Sequence, residues 1–132
     1  MSVDVICKEH CAISAPDQSW VLVDGVSLDF KEKGVGIDQL KASLADNEVA
    51  YVLITLHFEI NKEAQQQTRN VILHWKPEGA SAMKKGKSTE KHGAALSLLK
   101  PNEAELVVKG KKFTKEIILK TIDPKSGTHE IE

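Results

Sequence analysis

The chain has 132 residues, of which 41% are hydrophobic and 28% are charged, and its formal net charge is −1. This length suits one domain with a modest core, and the hydrophobic share argues against global disorder. The near-neutral charge excludes bulk attraction to nucleic acid or to an anionic membrane, although a local charged patch remains possible. Without an apolar run of about 18 residues or a secretory signal, we expect a soluble cytoplasmic protein with reduced thiols.

The N-terminal part of the chain predicts two helices around a hairpin. Asp24–Gly25 lies between two β-branched runs, a pattern typical of a tight hairpin turn. The sequence EKGVG after the hairpin predicts a flexible connection. The predicted elements are a short helix at 3–13, strands at Trp20–Asp24 and Val26–Phe30, and a helix carrying Ile37, Leu40 and Leu44 at helical spacing.

The central part contains the most apolar run, VAYVLITLHFEI at 49–60, which predicts a strand buried on both faces. The polar stretch 61–69 predicts a loop, and 70–75 predicts a strand that pairs with 49–60. Residues 80 to about 99 predict the longest helix. Gly86 and Gly93 lower its intrinsic propensity by about 1 kcal/mol each relative to alanine and suggest close packing on the sheet.

The C-terminal part predicts a short strand at 103–110 and a last helix at 111–122, followed by a flexible tail at 123–132. Together these elements predict an α/β (α+β) fold. We expect a single domain over 1–122, with a mixed central sheet of about five to six strands sandwiched between helices.

Two groups of residues could carry chemistry, and each also has an ordinary structural explanation. Cys7, His10 and Cys11 would share one side of a helix, but tetrahedral zinc needs a fourth ligand, so a cysteine-lined packing face is favoured. His57 and His74 lie on adjacent predicted strands without a nucleophile motif, which favours structural roles. No phosphate-binding loop is present. We therefore predict no metal, no cofactor and no enzymatic activity.

A cluster of lysines lies in the predicted long helix. Lys84, Lys87 and Lys91 are spaced i, i+3 and i+7, so they form one stripe, which Lys85 flanks. Only Glu90 is close enough to offset their charge. Aromatic residues make up 5% of the chain and none lies in this stretch, which argues against nucleic acid as the partner. The stripe is either a solvated helix face or a docking surface for an acidic partner.

Several local sequences together resemble the actin-depolymerising-factor homology family, which includes cofilin, coactosin, twinfilin and the drebrin-like N-terminal domain. The most specific one is the turn Trp75–Lys76–Pro77–Glu78, followed by the helix start at Met83–Thr89. The others are SWVLVDG, GVGIDQLKASL and NEVAYVLITLHF. The resemblance runs from about Trp20 to Ile122 and is strongest to the coactosin branch.

The resemblance implies a non-enzymatic protein whose long helix inserts into a cleft of actin. It assigns actin binding to Lys84, Lys85, Lys87 and Lys91 in this helix, with Met83 as an apolar anchor. Among these residues it singles out Lys87. A second filament surface is implied at the loop after the central strand and at the last helix: Lys62, Arg69, Lys111, Lys112 and Lys115. We expect a monomer that binds the sides of actin filaments in the cytoplasm and cytoskeleton.

The chain also departs from the family in ways that leave alternatives open. Lys85–Gly86–Lys87 stands where cofilins carry a lysine–methionine pair and an aromatic residue, which favours the coactosin branch. Ser2 falls where cofilins carry a regulatory phosphoserine, but the local match is poor. The alternatives are a cofilin-type factor that binds monomers or severs filaments, and an adaptor that no longer binds actin.

Overall fold

The computed structural model describes residues 3–11, 15–60, 65–100, 102–122 and 130–131. The helices are α1 (Val3–His10), α2 (Ile37–Ser43), α3 (Ala82–Glu90), α4 (His92–Leu98) and α5 (Lys115–Thr121). The strands are β1 (Ser19–Asp24), β2 (Phe30–Val35), β3 (Ala50–Ile60), β4 (Gln65–Trp75), β5 (Ala104–Val108) and β6 (Glu130–Ile131). Among the described residues, no helix combines the length and apolar character that crossing a membrane requires.

The strands form one mixed sheet in the order β2-β1-β3-β4-β5-β6. The pairs from β2 to β4 are antiparallel, whereas β4–β5 and β5–β6 are parallel. This sheet confirms the predicted α/β class and the predicted number of strands. β6 forms at Glu130–Ile131, within the segment expected to be a flexible tail, and the rest of that tail before β6 lies outside the described residues.

The core has two halves because the side chains of β3 alternate between the two faces of the sheet. Val52 and Ile54 belong to the half that includes residues of α2 and α5. Tyr51 and Leu53 belong to the half that includes residues of α1 and α4. The prediction that the central run is buried on both faces is therefore confirmed for residues 49–56, whereas His57 and Phe58 are half-buried.

The prediction of a strand at Val26–Phe30 is wrong. The carboxylate of Asp24 accepts hydrogen bonds from the backbone N–H groups of Val26 (2.9 Å) and Ser27 (2.8 Å), which holds the chain in a longer turn. The second strand begins only at Phe30 and runs through the stretch predicted as a flexible connection. All six residues of β2 are exposed or half-buried, so this edge strand has no apolar alternation for a pattern to reveal.

The prediction of a loop over 61–69 is also wrong for its second half. β4 begins at Gln65, and the ladder with β3 continues from Ala50 opposite Trp75 to Ile60 opposite Gln65. Backbone pairing extends the strand beyond the apolar residues, so polar composition alone did not show it. Residues 61–64 lie outside the described part of the chain.

The predicted long helix is divided at Lys91, whose backbone angles are φ −87° and ψ 1°. The two glycines do not cause the division, because both lie inside a helix. The expectation that Gly86 and Gly93 permit close packing is wrong, since a Cβ atom on either would meet nothing within 4 Å. The last helix begins at Lys115 rather than 111, because Thr114 caps it by accepting a hydrogen bond from the N–H of Ile117.

Candidate binding surface

The turn between β4 and α3 is fixed by contacts with the neighbouring loop and by a helix cap. Trp75 is buried at the end of β4, and its Nε1–H donates to the carbonyl of Ala45 at 2.8 Å. Gly79 is pressed against the backbone of the neighbouring loop, since a Cβ there would lie 2.3 Å from the carbonyl oxygen of Asp46. Ser81 then caps α3 by accepting a hydrogen bond from the N–H of Lys84 at 3.2 Å.

The lysine stripe, defined as Lys84, Lys87 and Lys91, is exposed along α3 and at the junction with α4. Lys85 beside it is half-buried, and the side chain of Met83 is 69% exposed. Among the residues that the structure describes, no carboxylate forms an ion pair with any of these four lysines. The structure therefore places the predicted residues along α3 and at its junction with α4, where no ion pair with a described carboxylate neutralises the lysines.

A buried polar cluster lies beneath α3 and consists of Tyr51, His74 and Ser88. The Tyr51 hydroxyl donates to the carbonyl of Ser88 at 2.5 Å, and Nε2 of His74 lies 2.9 Å from Oγ of Ser88. The rings of Tyr51 and His74 stack with centroids 4.2 Å apart. Because the Ser88 hydroxyl donates to the carbonyl of Lys85 at 2.8 Å, we assign the Nε2–H tautomer to His74.

Burial is the main cause of the pKa values in this cluster. Burial, with smaller contributions from the charges of Lys76 and His92, lowers the pKa of His74 to about 4. Burial, reinforced by the negative charge of Glu105, raises the pKa of Tyr51 to about 12. His74 is therefore neutral at neutral pH. Ser88 is fully buried, so this serine–histidine pair holds structure together and is inaccessible as a nucleophile.

A cavity of about 90 Å³ lies next to the cluster, where α4 meets β4 and β5. At this cavity Nε2 of His92 lies 2.9 Å from a carboxylate oxygen of Glu105. This contact joins the first residue of α4 to β5. The cavity is lined by Ile72, His74, His92, Glu105, Leu106 and Val107.

His57 does not form a site with these groups. His57 lies opposite Thr68 in the ladder, whereas His74 lies opposite Tyr51, so the two predicted strand histidines are far apart along the sheet. The backbone N–H of His57 donates to the carboxylate of Asp17 at 2.8 Å.

Cys7 and Cys11 are fully buried in the core, and burial raises the pKa of the Cys11 thiol. Nε2 of His10 instead lies 2.7 Å from the carbonyl oxygen of Gly34 on β2. Across the described ranges, no group of three or more histidine, cysteine, aspartate or glutamate side chains could hold a metal ion. These three residues thus attach α1 to the sheet.

The residues of the predicted second surface differ in their exposure and in whether they already pair with a carboxylate. Lys115 is paired with Asp17 at 2.7 Å, and Lys111 lies 3.6 Å from Asp46. Arg69 is half-buried with its guanidinium 5.7 Å from the ring centroid of Phe58. Lys112 is exposed, and Lys62 lies outside the described residues.

Sequence reasoning did not find the partners beneath α3. The available signal was the single tyrosine of the chain, placed among the aliphatic residues at the start of the buried strand β3. A buried tyrosine hydroxyl usually has a hydrogen-bond partner, but the sequence does not show that this partner is Ser88, 37 positions away.

The chain is similar to known proteins at two levels. The model of a family described as "Cofilin/tropomyosin-type actin-binding protein" matches residues 14–122. The human coactosin-like protein has a similar structure, with a TM-score of 0.74 and 14% identity over 98% of this chain and 90% of that one. A cofilin from Streptomyces griseoflavus has a TM-score of 0.73 and 13% identity, with 93% and 95% of the two chains covered.

Coactosin from Entamoeba histolytica is similar as well, with a TM-score of 0.67 and 17% identity over 90% of each chain. At these identities the solved structures show a common fold and nothing finer. No curated protein sequence matches the chain.

Proposed function

The chain belongs to the cofilin/tropomyosin-type family of actin-binding proteins, and on this premise we propose that it binds the sides of actin filaments through α3, in the manner of coactosin. The family has a non-enzymatic actin-binding fold. We place the protein in the cytoplasm, associated with the cytoskeleton, as a monomer that modulates filament dynamics. The coactosin-like branch is favoured by the Lys85–Gly86–Lys87 sequence at the start of the helix.

The observation that carries this proposal is the exposed lysine stripe, which has no carboxylate partner within the described residues. Like charges on one helix face repel each other, and folding gains nothing from that repulsion. An acidic partner surface would relieve it. Association through such a stripe is steered by charge, so its rate and affinity fall as salt increases.

Lys87 is the residue on which we expect binding to depend most. It is exposed near the middle of the stripe, where an acidic partner would contact Lys84 and Lys91 at the same time. Met83, one residue before Lys84, adds an exposed apolar side chain that contact with a partner would remove from water.

A second filament surface at Arg69, Lys112 and Lys62, the last of which lies outside the described residues, would contribute less. Lys111 and Lys115 also belong to this proposed surface, but both are engaged with carboxylates of this chain. Their contribution would therefore require those ion pairs to be exchanged for contacts with actin.

The test is cosedimentation with actin filaments at low and high salt. We expect the wild type to pellet with filaments at low salt and to pellet less at high salt. Replacing Lys87 by glutamate should weaken binding about tenfold or more, because it places a like charge against the partner. Lys33→Glu is the matched control, since Lys33 is exposed on β2 and lies outside the stripe. Absence of wild-type pelleting at low salt would refute the proposal.

A cofilin-type severing factor is the second candidate, because the similarity in fold to a cofilin is as high as that to a coactosin-like protein. Dilution of fluorescently labelled filaments separates the two. Severing accelerates depolymerisation after dilution, whereas side binding without severing does not. An adaptor that has lost actin binding would leave both assays unchanged.

A further inference from the structure

The feature that prompts a further inference is how little of α3 is buried. All nine of its residues are described, and Ser88 alone among them is buried. Helices of globular proteins are usually held by a stripe of apolar residues against the core. α3 has no such stripe, so another interaction must fix its position and its rotation about its own axis.

Ser88 meets the sheet through two of its own groups. Its hydroxyl oxygen lies 2.9 Å from Nε2 of His74 on β4. Its carbonyl accepts hydrogen bonds from the hydroxyl of Tyr51 on β3 at 2.5 Å and from the N–H of Lys91 at 3.1 Å. Both backbone and side chain of this one residue are therefore attached to buried strands.

The remaining contacts of the helix are weaker candidates for this role. Nζ of Lys76 donates to Oγ1 of Thr89 at 2.9 Å, but this bond is exposed to water, where such contacts contribute little. The contact between His92 and Glu105 attaches the start of α4, one residue beyond the stripe. The buried polar tether formed by Tyr51, His74 and Ser88 is thus the strongest attachment of α3 itself.

We propose that Ser88, held between Tyr51 and His74, is the positioning residue that sets the direction of the lysine stripe; its role in binding rests on the proposed function. Ser88 follows Lys87 directly, and its carbonyl receives the N–H of Lys91. Fixing Ser88 fixes the rotation of α3, and with it the side from which Lys84 and Lys87 project. Loosening the tether leaves all the charges present but spreads them over many orientations, which weakens binding through lost preorganisation.

The experiment compares two substitutions that each remove one buried hydroxyl from β3. Tyr51→Phe removes the bond to the carbonyl of Ser88 and keeps the ring that stacks on His74. Thr55→Val is the matched control, because the buried Thr55 hydroxyl donates to Oδ1 of Asn70 at 2.7 Å, away from α3. Both should lower the melting temperature by a few degrees, about 2–6 °C.

Only Tyr51→Phe should weaken filament binding, by about threefold to tenfold, measured by cosedimentation at low salt. Amide hydrogen exchange of the protein alone should be faster in α3 for Tyr51→Phe and unchanged there for Thr55→Val. Ser88→Ala should reproduce the exchange result of Tyr51→Phe, because it removes the hydroxyl that meets His74. The exchange measurement requires no actin and shows where the structure has loosened.

The outcomes distinguish the two proposals. If the wild type does not bind filaments, the proposed function is wrong, and exchange in α3 still decides whether the tether exists. If the wild type binds and Tyr51→Phe binds equally well, the positioning role is refuted while the proposed function stands. Equal losses of affinity in Tyr51→Phe and Thr55→Val would also refute it, because general destabilisation would then account for both.

Discussion

Mild acid should destabilise the protein through His74, a buried histidine on β4. Its pKa is lowered from 6.5 to about 4, chiefly by burial and further by the charges of Lys76 and His92. Protonation in the folded state would place a charge beneath α3, beside the ring of Tyr51 on which His74 stacks. In the unfolded chain the same side chain takes up a proton at its ordinary pKa.

The sign of the effect follows from this difference. The folded pKa lies below the unfolded one, so the unfolded state binds more protons as the pH falls below about 6.5. The contribution of His74 to stability is complete above that value and is lost between about 6.5 and 4. One pKa unit corresponds to about 1.4 kcal/mol, so the loss reaches about 2 kcal/mol at pH 5 and about 3 kcal/mol at pH 4.

Urea denaturation at pH 7, 6 and 5 measures this loss for the wild type and for His74→Gln. The variant should be less stable than the wild type at pH 7. Between pH 7 and pH 5, however, its free energy of unfolding should fall by about 2 kcal/mol less than that of the wild type. His10→Gln is the control, since His10 lies outside the cluster and its loss should leave the His74 contribution in place. Equal pH dependence in the wild type and His74→Gln would refute the reasoning.

Asp17 and Asp24, the two carboxylates whose pKa values are lowered, do not contribute to the loss of stability between pH 6.5 and pH 5. Burial alone raises the pKa of Asp17, but the hydrogen bond from the N–H of His57 and the pairing with Lys115 outweigh it, so the pKa is lowered. Burial likewise opposes the hydrogen bonds from Ser27 and Val26 that lower the pKa of Asp24. Stability from these two groups is complete above their ordinary pKa of 3.8 and is lost only as the pH falls below it.

Two further predictions concern the turn before α3 and the thiols. Gly79→Ala should destabilise the protein by about 1–3 kcal/mol in urea denaturation, because its Cβ would meet the Asp46 carbonyl, whereas Gly86→Ala has open space and should stabilise by about 1 kcal/mol. Destabilisation by both would contradict the geometry. Cys7 and Cys11 should resist iodoacetamide in the native protein and react after unfolding, as followed by mass spectrometry, since both are fully buried. Rapid labelling of the native protein would contradict the packing of Cys7 and Cys11 against the sheet.

The elements that could be predicted from the sequence are those in which the pattern of apolar and polar side chains matches their burial. The run at 49–60 is apolar because β3 is covered on both faces, so it was recognisable as a central strand. β2 is an edge strand whose residues are all exposed or half-buried. The outer half of β4 is polar, and it is a strand because its backbone pairs with β3. Backbone pairing of this kind cannot be predicted from the local amino-acid composition.

The division of the predicted long helix into α3 and α4 could not be predicted from the sequence either. Composition suggested the glycines as weak points, yet the helix divides at Lys91, where the carbonyl of Ser88 is shared between the hydroxyl of Tyr51 and the N–H of Lys91. The contact at this point joins residues 37 positions apart, and it becomes visible only once β3 and α3 are placed together.

The lysine stripe extends across this division, with Lys84 and Lys87 in α3 and Lys91 at its end. Lys91 has φ −87° and ψ 1°, outside the range of a regular helix, so α3 ends there, yet Lys84, Lys87 and Lys91 are all exposed. Ser88 is the buried residue of α3, and this helix has no apolar stripe facing the sheet. A small polar residue facing inward, satisfied by buried hydrogen bonds from the sheet, can hold the helix without covering the charges.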